Sequence, residues 1–222
     1  MKVFVIGIAG GVGRRLAKAL VAQGHQANGP VRRPEQIAAL ARDGVPSFQG
    51  DFLAMSTEEI ALAMSGSDAI VFTAGAGGKG GMAATTAIDG AGPGKLARAA
   101  GQAGIKRFVL VSVFPEAWRE RHMNESFEHY MAQKKRAEID LVNSDLDWVI
   151  LRPSALTNEP GTGLVDLGLA QIHNEIARDD VAATIVELLE TPKIGRIILE
   201  VTGGRTAIGV AVDALARSAA KA

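Results

Sequence analysis

Three residues in the second half of the chain could together move a proton. Tyr130 is the only tyrosine, and Lys134 follows four residues later, so a helix would place both on one face. A nearby ammonium lowers the pKa of a phenol from about 10 toward the range of an acid–base catalyst. Ser112 could hydrogen-bond the same substrate oxygen. The set predicts protonation of an oxygen, although a tyrosine and a lysine at this spacing also occur as an ordinary exposed helix pair.

Three glycines near the start of the chain indicate a phosphate site. An apolar run from Val3 to Ile6 predicts a strand buried on both faces, and an Ala/Leu-rich helix follows shortly after it. Between them, Gly7 permits a tight turn, Gly10 lets backbone approach a pyrophosphate, and Gly13 lets the helix pack on the strand. The free N–H groups of the helix favour phosphates. This order predicts a dinucleotide site; the alternative is a tight turn without a ligand.

The end of the next predicted strand bears on the choice of cofactor. Many NAD sites place an acidic residue there to bind the ribose 2′-hydroxyl, but this chain has Arg32 and Arg33. A guanidinium suits a 2′-phosphate through its charge and forked geometry, so NADP(H) is expected, with NAD(H) remaining open. The alternative is a solvated basic pair at the start of a helix.

Composition excludes several classes of protein. The 222 residues include 24 basic and 24 acidic side chains, so no net charge favours nucleic acid or an anionic membrane as a partner. There is no cysteine, and the four histidines lack the spacing of a metal site, so no metal is expected. No apolar run is long enough to span a bilayer. With strand one at the very start, we expect no signal peptide and a cytoplasmic protein.

Hydrophobic periodicity predicts strands and helices in alternation. The predicted strands are 3–6, 26–32, 45–49, 68–73, 106–113, 147–151 and 196–201. The predicted helices are 11–23, one from Pro34, one from Ser56, 83–103 kinked or restarted at Pro93, 125–143, one from Asp179 or Asp180 to Glu190, and 206–219. Such alternation predicts an α/β fold, a doubly wound, mostly parallel sheet with helices on both faces. No repeat or linker divides it, so residues 1–222 are expected to form a single domain.

Two irregular segments are expected beside the cofactor. Ala74 to Gly77 are small residues just past a strand, where a cofactor could lie against backbone. Residues 78–81 are expected either to extend that surface or to form a flexible loop. Residues 114–124 read as a substrate-side loop that carries Phe114, Trp118, Arg119, His122 and Met123. Residues 154–178 are expected to be loops and short strands in a small C-terminal substrate-side region.

These motifs, in order, resemble an atypical short-chain dehydrogenase/reductase. The resemblance is to the NAD(P)H-binding branch with flavin/biliverdin-reductase-like and NmrA-like proteins, and it covers almost the whole chain. The matching segments are 5–13, 31–35, 50–51, 72–77, 105–112, 130–134, 147–153 and 177–182. Pro30 and Pro93 interrupt segments that usually run smoothly in that family, so the adenosine pocket and the fourth helix are expected to differ from the family pattern.

The resemblance implies a Rossmann fold and a set of site residues. Ser112, Tyr130 and Lys134 would be catalytic, and Ser112 would also border the cofactor. The implied cofactor contacts are Gly7, Ala9, Gly10, Gly11, Val12 and Gly13 at the pyrophosphate, Arg32 and Arg33 at the adenosine phosphate, Asp51 and Phe52 at the adenine, Ala74, Gly75, Ala76 and Gly77 at the ribose, Lys134 at the nicotinamide ribose, and Pro153, Ser154, Ala155 and Leu156 at the nicotinamide.

Three functions are compatible with these features. The first is an NADPH-dependent reductase of a small carbonyl, quinone or flavin-like acceptor. The second is an NADP(H)-sensing regulator with little turnover, since similar folds host both roles. The third is an enzyme like a nucleotide-sugar epimerase or dehydratase. In each the partner is a small molecule, and the protein is expected to be a monomer or a homodimer.

Overall fold

A computed structural model of the protein describes residues 1–114, 117–118 and 121–219. The strands are β1 (Lys2–Ile6), β2 (Gln26–Asn28), β3 (Pro30–Val31), β4 (Phe48–Gln49), β5 (Ala69–Phe72), β6 (Arg107–Val111), β7 (Asp147–Pro153), β8 (Ala155–Thr157), β9 (Leu164–Gly168), β10 (Glu175–Ala177), β11 (Ile197–Gly203) and β12 (Thr206–Ala207). The helices are α1 (Gly11–Ala22), α2 (Pro34–Ala41), α3 (Thr57–Met64), α4 (Gly81–Thr85), a π-helical turn (Thr86–Gly90), α5 (Ala91–Ala103), α6 (Glu125–Val142), α7 (Arg178–Glu190) and α8 (Ile208–Ala219).

The central sheet confirms the predicted fold class. Its eight strands lie in the order β12-β9-β11-β7-β6-β5-β1-β2, and β9 pairs antiparallel with β11 and β12 while the rest are parallel. Helices cover both faces over two separate apolar cores. One core contains residues of α1, α7 and α8, and the other contains residues of α3, α5 and α6. The carboxyl ends of β1, β5, β6 and β7 therefore meet at one edge, where ligands bind in such sheets.

The first glycine turn packs helix α1 tightly against the sheet. A Cβ at Gly13 would lie 2.2 Å from the carbonyl oxygen of Gly7, closer than any side-chain atom can approach. Gly13 therefore has the packing role that the sequence predicted. Gly7 has a φ of 89°, a left-handed conformation that favours glycine.

The second predicted strand is interrupted, contrary to the single run expected over 26–32. Gly29 lies so close to β1 that a Cβ there would be 2.1 Å from the carbonyl oxygen of Val5. The chain divides at this point: β2 pairs with β1, whereas β3 pairs with β4 in a separate two-stranded sheet. Pro30 starts that short strand instead of interrupting the central sheet. The predicted strand 45–49 is correspondingly reduced to β4.

The long helix expected over 83–103 is interrupted before Pro93 rather than at it. A π-helical turn at Thr86–Gly90 separates α4 from α5, and Pro93 is the third residue of α5. The wider turn accommodates a residue that lacks an N–H and whose ring would clash with a regular preceding turn. The interruption also brings Asp89 into the interior, where it is 1% exposed.

Strand β7 continues through Pro153, although the predicted strand ended at Leu151. Pro153 pairs with Val201 of β11, and the N–H of Ser154 donates to the Val201 carbonyl at 2.9 Å. The missing N–H of Pro153 would face β6, which ends opposite Leu151. No hydrogen bond is needed there, so a proline is tolerated at the end of this central strand.

Three helices begin at or within two residues of their predicted starts. Ser56 caps α3: its Oγ accepts from the Glu59 N–H at 3.1 Å, and the Glu59 carboxylate accepts from the Ser56 N–H at 2.7 Å. Helix α7 begins at Arg178, one or two residues before the predicted start. The predicted last helix from Thr206 is shorter, because Thr206 and Ala207 pair with β9 and the helix begins at Ile208.

Candidate active site

A cavity of about 840 Å³ opens at the carboxyl edge of the sheet. It extends from Arg32 and Asp51 across the glycine turn to Tyr130 and Leu156. The predicted site residues that line it are Gly7, Ala9, Gly10, Gly11, Val12, Arg32, Asp51, Phe52, Ala74, Gly75, Ala76, Gly77, Ser112, Tyr130, Lys134 and Leu156. The fold thus brings together residues from distant parts of the sequence, as the predicted site requires.

The middle of the cavity is formed by backbone. Gly10 precedes α1 with no side-chain cap, so the first N–H groups of this helix are left for a ligand. A Cβ at Gly7 would lie 2.6 Å from the backbone nitrogen of Ala74, so the two loops pack without side chains between them. The hydroxyl of Thr73 donates to the carbonyls of Ile6 and Gly7 at 3.1 and 3.3 Å and joins the turn to β5. The result is a rigid concave surface suited to a pyrophosphate.

The two predicted arginines occupy different positions. Arg32 is exposed, lines the cavity and has no ion pair with any described residue. Arg33 lies outside the cavity lining, and its Nε is 3.3 Å from a Glu35 carboxylate oxygen. Arg32 is therefore the better placed cation for a negatively charged group at this end.

A lysine that the sequence analysis missed supports the adenosine end. The ammonium of Lys95, on α5, donates to the carbonyls of Phe52 and Leu53 at 2.9 and 3.0 Å and also to that of Met55. These contacts fix the turn after Asp51, which lines the cavity. A lysine inside a glycine-rich helix gives no sequence signal for this role, because its partners are backbone atoms some 40 residues away.

At the end of the cavity opposite the adenosine end, the Ser112 hydroxyl is hydrogen-bonded to a glutamate. Its hydroxyl donates to Glu138 Oε1 at 2.5 Å, and both residues are buried. Arg152 donates to both oxygens of the same carboxylate, at 3.0 and 2.5 Å. The serine proton is thus directed away from a substrate, although the hydroxyl oxygen lines the cavity and can still accept a hydrogen bond.

Lys134 is buried on α6, and its ammonium donates to the carbonyl oxygen of Val111 at 2.9 Å. Burial lowers the pKa of Lys134, whereas the carboxylates of Asp89 and Glu138 oppose that effect. The ammonium therefore ties α6 to the end of β6 and faces two buried acids.

The expected activation of Tyr130 by Lys134 does not occur in this structure. Burial raises the pKa of the Tyr130 phenol, and the nearby carboxylate of Asp89 raises it further. The predicted lowering by an adjacent ammonium was therefore wrong in sign, because burial disfavours the charged phenolate and the Lys134 ammonium is bonded to the Val111 carbonyl instead. Tyr130 keeps its proton across neutral pH and is suited to donate it, rather than to act as a base.

Asp89 is a site residue that the sequence analysis missed. Its carboxylate lines the cavity and accepts a hydrogen bond from the Ala76 N–H at 3.0 Å. Burial raises its pKa, and the ammonium of Lys134 opposes that rise. The residue thereby fixes the small-residue loop and faces the buried lysine. An acid among the small residues of an interrupted helix was the only sequence signal.

Around Tyr130 the cavity lining is mostly apolar, although it also includes Thr85, Asn124 and Ser126. The apolar lining residues include Met82, Ile88, Met123, Phe127 and Leu156, and the Phe127 and Tyr130 rings lie with centroids 6.3 Å apart. Of the predicted substrate-side loop, Met123 lines the cavity, and Arg119 lies outside the described residues.

Two aromatic residues of that loop pack outside the cavity lining. The rings of Phe114 and Trp118 pack edge-on against His173, with centroids 5.2 and 4.8 Å apart. Neither they nor His122 belong to the cavity lining. Trp118 also lies beside Phe127, a lining residue, with ring centroids 6.3 Å apart.

Five predicted cofactor residues lie outside the cavity lining: Gly13, Arg33, Pro153, Ser154 and Ala155. The oxygen of Ser154 accepts from the Asn174 N–H at 3.1 Å, and Ala155 belongs to β8, which pairs with β10. Only Leu156 of the predicted nicotinamide segment reaches the cavity. The other three residues hold that segment in place.

No helix in the described part of the chain combines the length and apolar character needed to cross a membrane. No group of three or more acidic or histidine side chains among residues 1–114, 117–118 and 121–219 could hold a metal ion.

A family model described as NAD(P)H-binding matches residues 7–192. The chain belongs to this NAD(P)H-binding family. Features of the cavity fit a nicotinamide dinucleotide: the side-chain-free glycine turn, the uncapped start of α1, and an exposed arginine at one end. Comparison thus confirms the cofactor class, which the sequence predicted from the glycine spacing.

Named relatives of this NAD(P)H-binding protein include oxidoreductases and an epimerase. It is 39% identical over 216 residues to YhfK of Bacillus subtilis, named an uncharacterized sugar epimerase, with 97% of this chain and 100% of that protein covered. The oxidoreductase ylbE of Lactococcus lactis is 32% identical with a TM-score of 0.83, covering 98% of this chain and 97% of that one. ChuY of Escherichia coli O157:H7, named an anaerobillin reductase, is 25% identical with a TM-score of 0.76, covering 91% and 97%.

Proposed function

We propose that the protein is an NADPH-dependent reductase whose acceptor is a small, largely apolar conjugated molecule such as a quinone, a flavin-like ring or a conjugated carbonyl. The observation that carries this proposal is the continuity of the cavity. One end is a glycine turn with an adjacent arginine, and the other is lined by methionines, aliphatic side chains and the rings of Phe127 and Tyr130. A planar apolar molecule fits such a surface, because its burial and ring contacts favour binding.

The preference for NADPH rests on Arg32. Its guanidinium is exposed at the adenosine end and has no competing ion pair within the described residues. A 2′-phosphate would add charge-assisted hydrogen bonds that a ribose hydroxyl cannot make. We expect the preference to depend on Arg32 and only weakly on Arg33, whose guanidinium already lies beside Glu35.

In the reaction, the residues of this chain would orient the acceptor and donate one proton to it. When bound, a nicotinamide supplies the hydride. Tyr130 retains its proton because burial and Asp89 raise the pKa of the phenol, so it can donate to an oxygen of the acceptor. Ser112 does not donate to that oxygen, since its own proton is bound by Glu138, but its Oγ can accept from the hydroxyl that forms when the acceptor is reduced. The apolar residues around Tyr130 would limit the access of water to the acceptor once it is bound.

A sensing role is the second candidate, and one observation favours it. The serine hydroxyl donates to Glu138 instead of facing a substrate. A protein that only binds NADP(H) would not need this hydroxyl for a reaction. A sugar epimerase, the name of the Bacillus subtilis relative, is less favoured. The cavity around Phe127 and Tyr130 is lined mainly by apolar side chains, which suit a charged nucleotide sugar poorly.

Steady-state assays with NADPH and a panel of acceptors test the proposal. A reductase oxidises NADPH in the presence of at least one quinone, flavin or conjugated carbonyl, and a sensor binds NADPH without turnover. Gly10→Val is the matched control: its side chain would occupy the space for the pyrophosphate, so we expect affinity to fall about a hundredfold or more. Unchanged NADPH affinity in a folded Gly10→Val protein would contradict the site assignment itself.

A further inference from the structure

The side chain of Arg178 lies across the glycine turn. Arg178 is the first residue of α7, far from the turn in sequence, yet it lines the same cavity as Gly10 and Gly11. A Cβ at Gly11 would lie 2.9 Å from both Cδ and Nε of Arg178. Arg178 can therefore lie over the start of α1 because Gly11 has no side chain.

Only part of the Arg178 guanidinium is engaged. Its Nη1 donates to the carbonyl oxygen of Leu156 at 3.3 Å and to Asn158 Oδ1 at 3.0 Å. These two bonds hold the side chain in a fixed orientation. Its Nε and Nη2 donate to no described residue, so donors on a half-buried cation remain available beside the turn.

The other cations near the cavity either bind other groups or lie at a different end of it. Arg15 lies on the same helix end, but its Nε is 3.0 Å from Asp179 and its Nη1 donates to the Gly11 carbonyl. Lys134 is buried against Val111, and Arg32 lies at the adenosine end. A dinucleotide carries a negatively charged diphosphate at its centre, and a helix N-terminus supplies only partial positive charge.

We propose that Arg178 binds the diphosphate of the dinucleotide directly, from its position beside Gly11 at the start of α1. The inference rests on the proposed cofactor site and adds a residue to it from the C-terminal half of the chain. The guanidinium would give the diphosphate charge-assisted hydrogen bonds through Nε and Nη2. Because Arg178 also holds Leu156, the same side chain would link diphosphate binding to a residue that lines the apolar end.

Binding of dinucleotide fragments to Arg178→Gln separates this role from a structural one. We expect the dissociation constants of NADP⁺ and of 2′-phospho-ADP-ribose, measured by calorimetry, to rise roughly ten- to a hundredfold. The affinity for 2′-AMP, which lacks the diphosphate, should not change. Arg178→Lys keeps the charge and should recover part of the loss. Equal weakening of all three ligands, or of none, would overturn the proposal.

Two further variants make the outcome unambiguous. Arg205→Gln removes an exposed arginine outside the cavity and should leave every affinity unchanged. Gly11→Ala should weaken NADP⁺ binding by displacing Arg178, and its effect should shrink in the Arg178→Gln background. Full additivity of the two substitutions would contradict the contact. If the unaltered protein binds no nicotinamide dinucleotide, the proposed function fails; if it binds and Arg178→Gln binds equally well, only this inference fails.

Discussion

The two ends of the cavity are built by different means. The glycine turn is formed by backbone, and its shape depends on side chains being absent at Gly7, Gly10 and Gly11. The end around Tyr130 is formed by side chains, with the buried charges of Asp89 and Lys134 facing each other. The first region offers N–H groups to a charged ligand, and the second holds its charges away from solvent.

This difference predicts how the two regions respond to substitution. A backbone surface is altered by adding atoms, so changes at the turn should reduce cofactor affinity and leave the fold largely intact. Buried charges depend on one another because the interior screens them poorly. Changes near Tyr130 should therefore affect rate and stability together, except where a substitution preserves both packing and charge.

Tyr130→Phe should produce the largest effect on rate. It keeps the ring and its contact with Phe127 but removes the proton that an acceptor oxygen would take. For a carbonyl acceptor we expect kcat to fall about 10²- to 10⁴-fold with unchanged NADPH affinity. Steady-state kinetics and a binding titration measure the two quantities. Nearly full carbonyl reduction by Tyr130→Phe would show that the phenol is not the donor, although a quinone or flavin needs less help from a protein acid.

Lys134→Met should destabilise the protein in a pH-dependent way. The variant leaves the Asp89 carboxylate buried without its ammonium, which costs about 3–5 kcal/mol when the acid is charged. Burial already raises the pKa of Asp89 above the ordinary 3.8, and losing Lys134 raises it further. The folded variant thus favours the protonated acid, so its deficit in stability relative to the unaltered protein should be small in acid and grow as pH rises through the folded-state pKa of Asp89, which lies above 3.8.

Urea unfolding at about pH 5 and pH 8 measures this dependence. Lys193→Met, an exposed lysine outside the cavity, should show no deficit at either pH and serves as the control. Adding Asp89→Asn to Lys134→Met should recover part of the loss at the higher pH, because no buried charge then remains unpaired. A deficit that is the same at both pH values would mean that Lys134 acts through packing alone.

The smallest effects should distinguish the two arginines at the adenosine end. Arg32→Gln should weaken NADPH binding roughly ten- to a hundredfold and leave NADH unchanged. Arg33→Gln should change either affinity by less than about twofold, since its exposed pair with Glu35 contributes little. Titrations with both cofactors compare them directly. Equal losses from the two substitutions would mean that both guanidinium groups reach the phosphate.

The first βα unit was predictable because each of its signals is local. A buried apolar run, three glycines and an uncapped helix start follow within a dozen residues, and each restricts the backbone directly. The helix start at Ser56 was equally local, and helix α3 begins just after it. The structure around Pro30 and Pro93 was predicted wrongly, because the effect of each proline on the backbone depends on the segments packed around it. The close approach of β1 to Gly29 and the π-helical turn before Pro93 are tertiary features.

The sequence by itself determined the fold class, the glycine turn and the identity of the residues that could do chemistry. Only the tertiary structure decided how those residues behave. A phenol beside an ammonium is expected to have a lowered pKa, but burial raises it; a free serine hydroxyl became a donor to Glu138. Asp89 and Arg178 reached the site through long-range packing. Desolvation and contacts between distant segments arise only once the chain has folded, so they cannot be predicted from the spacing of residues in the sequence.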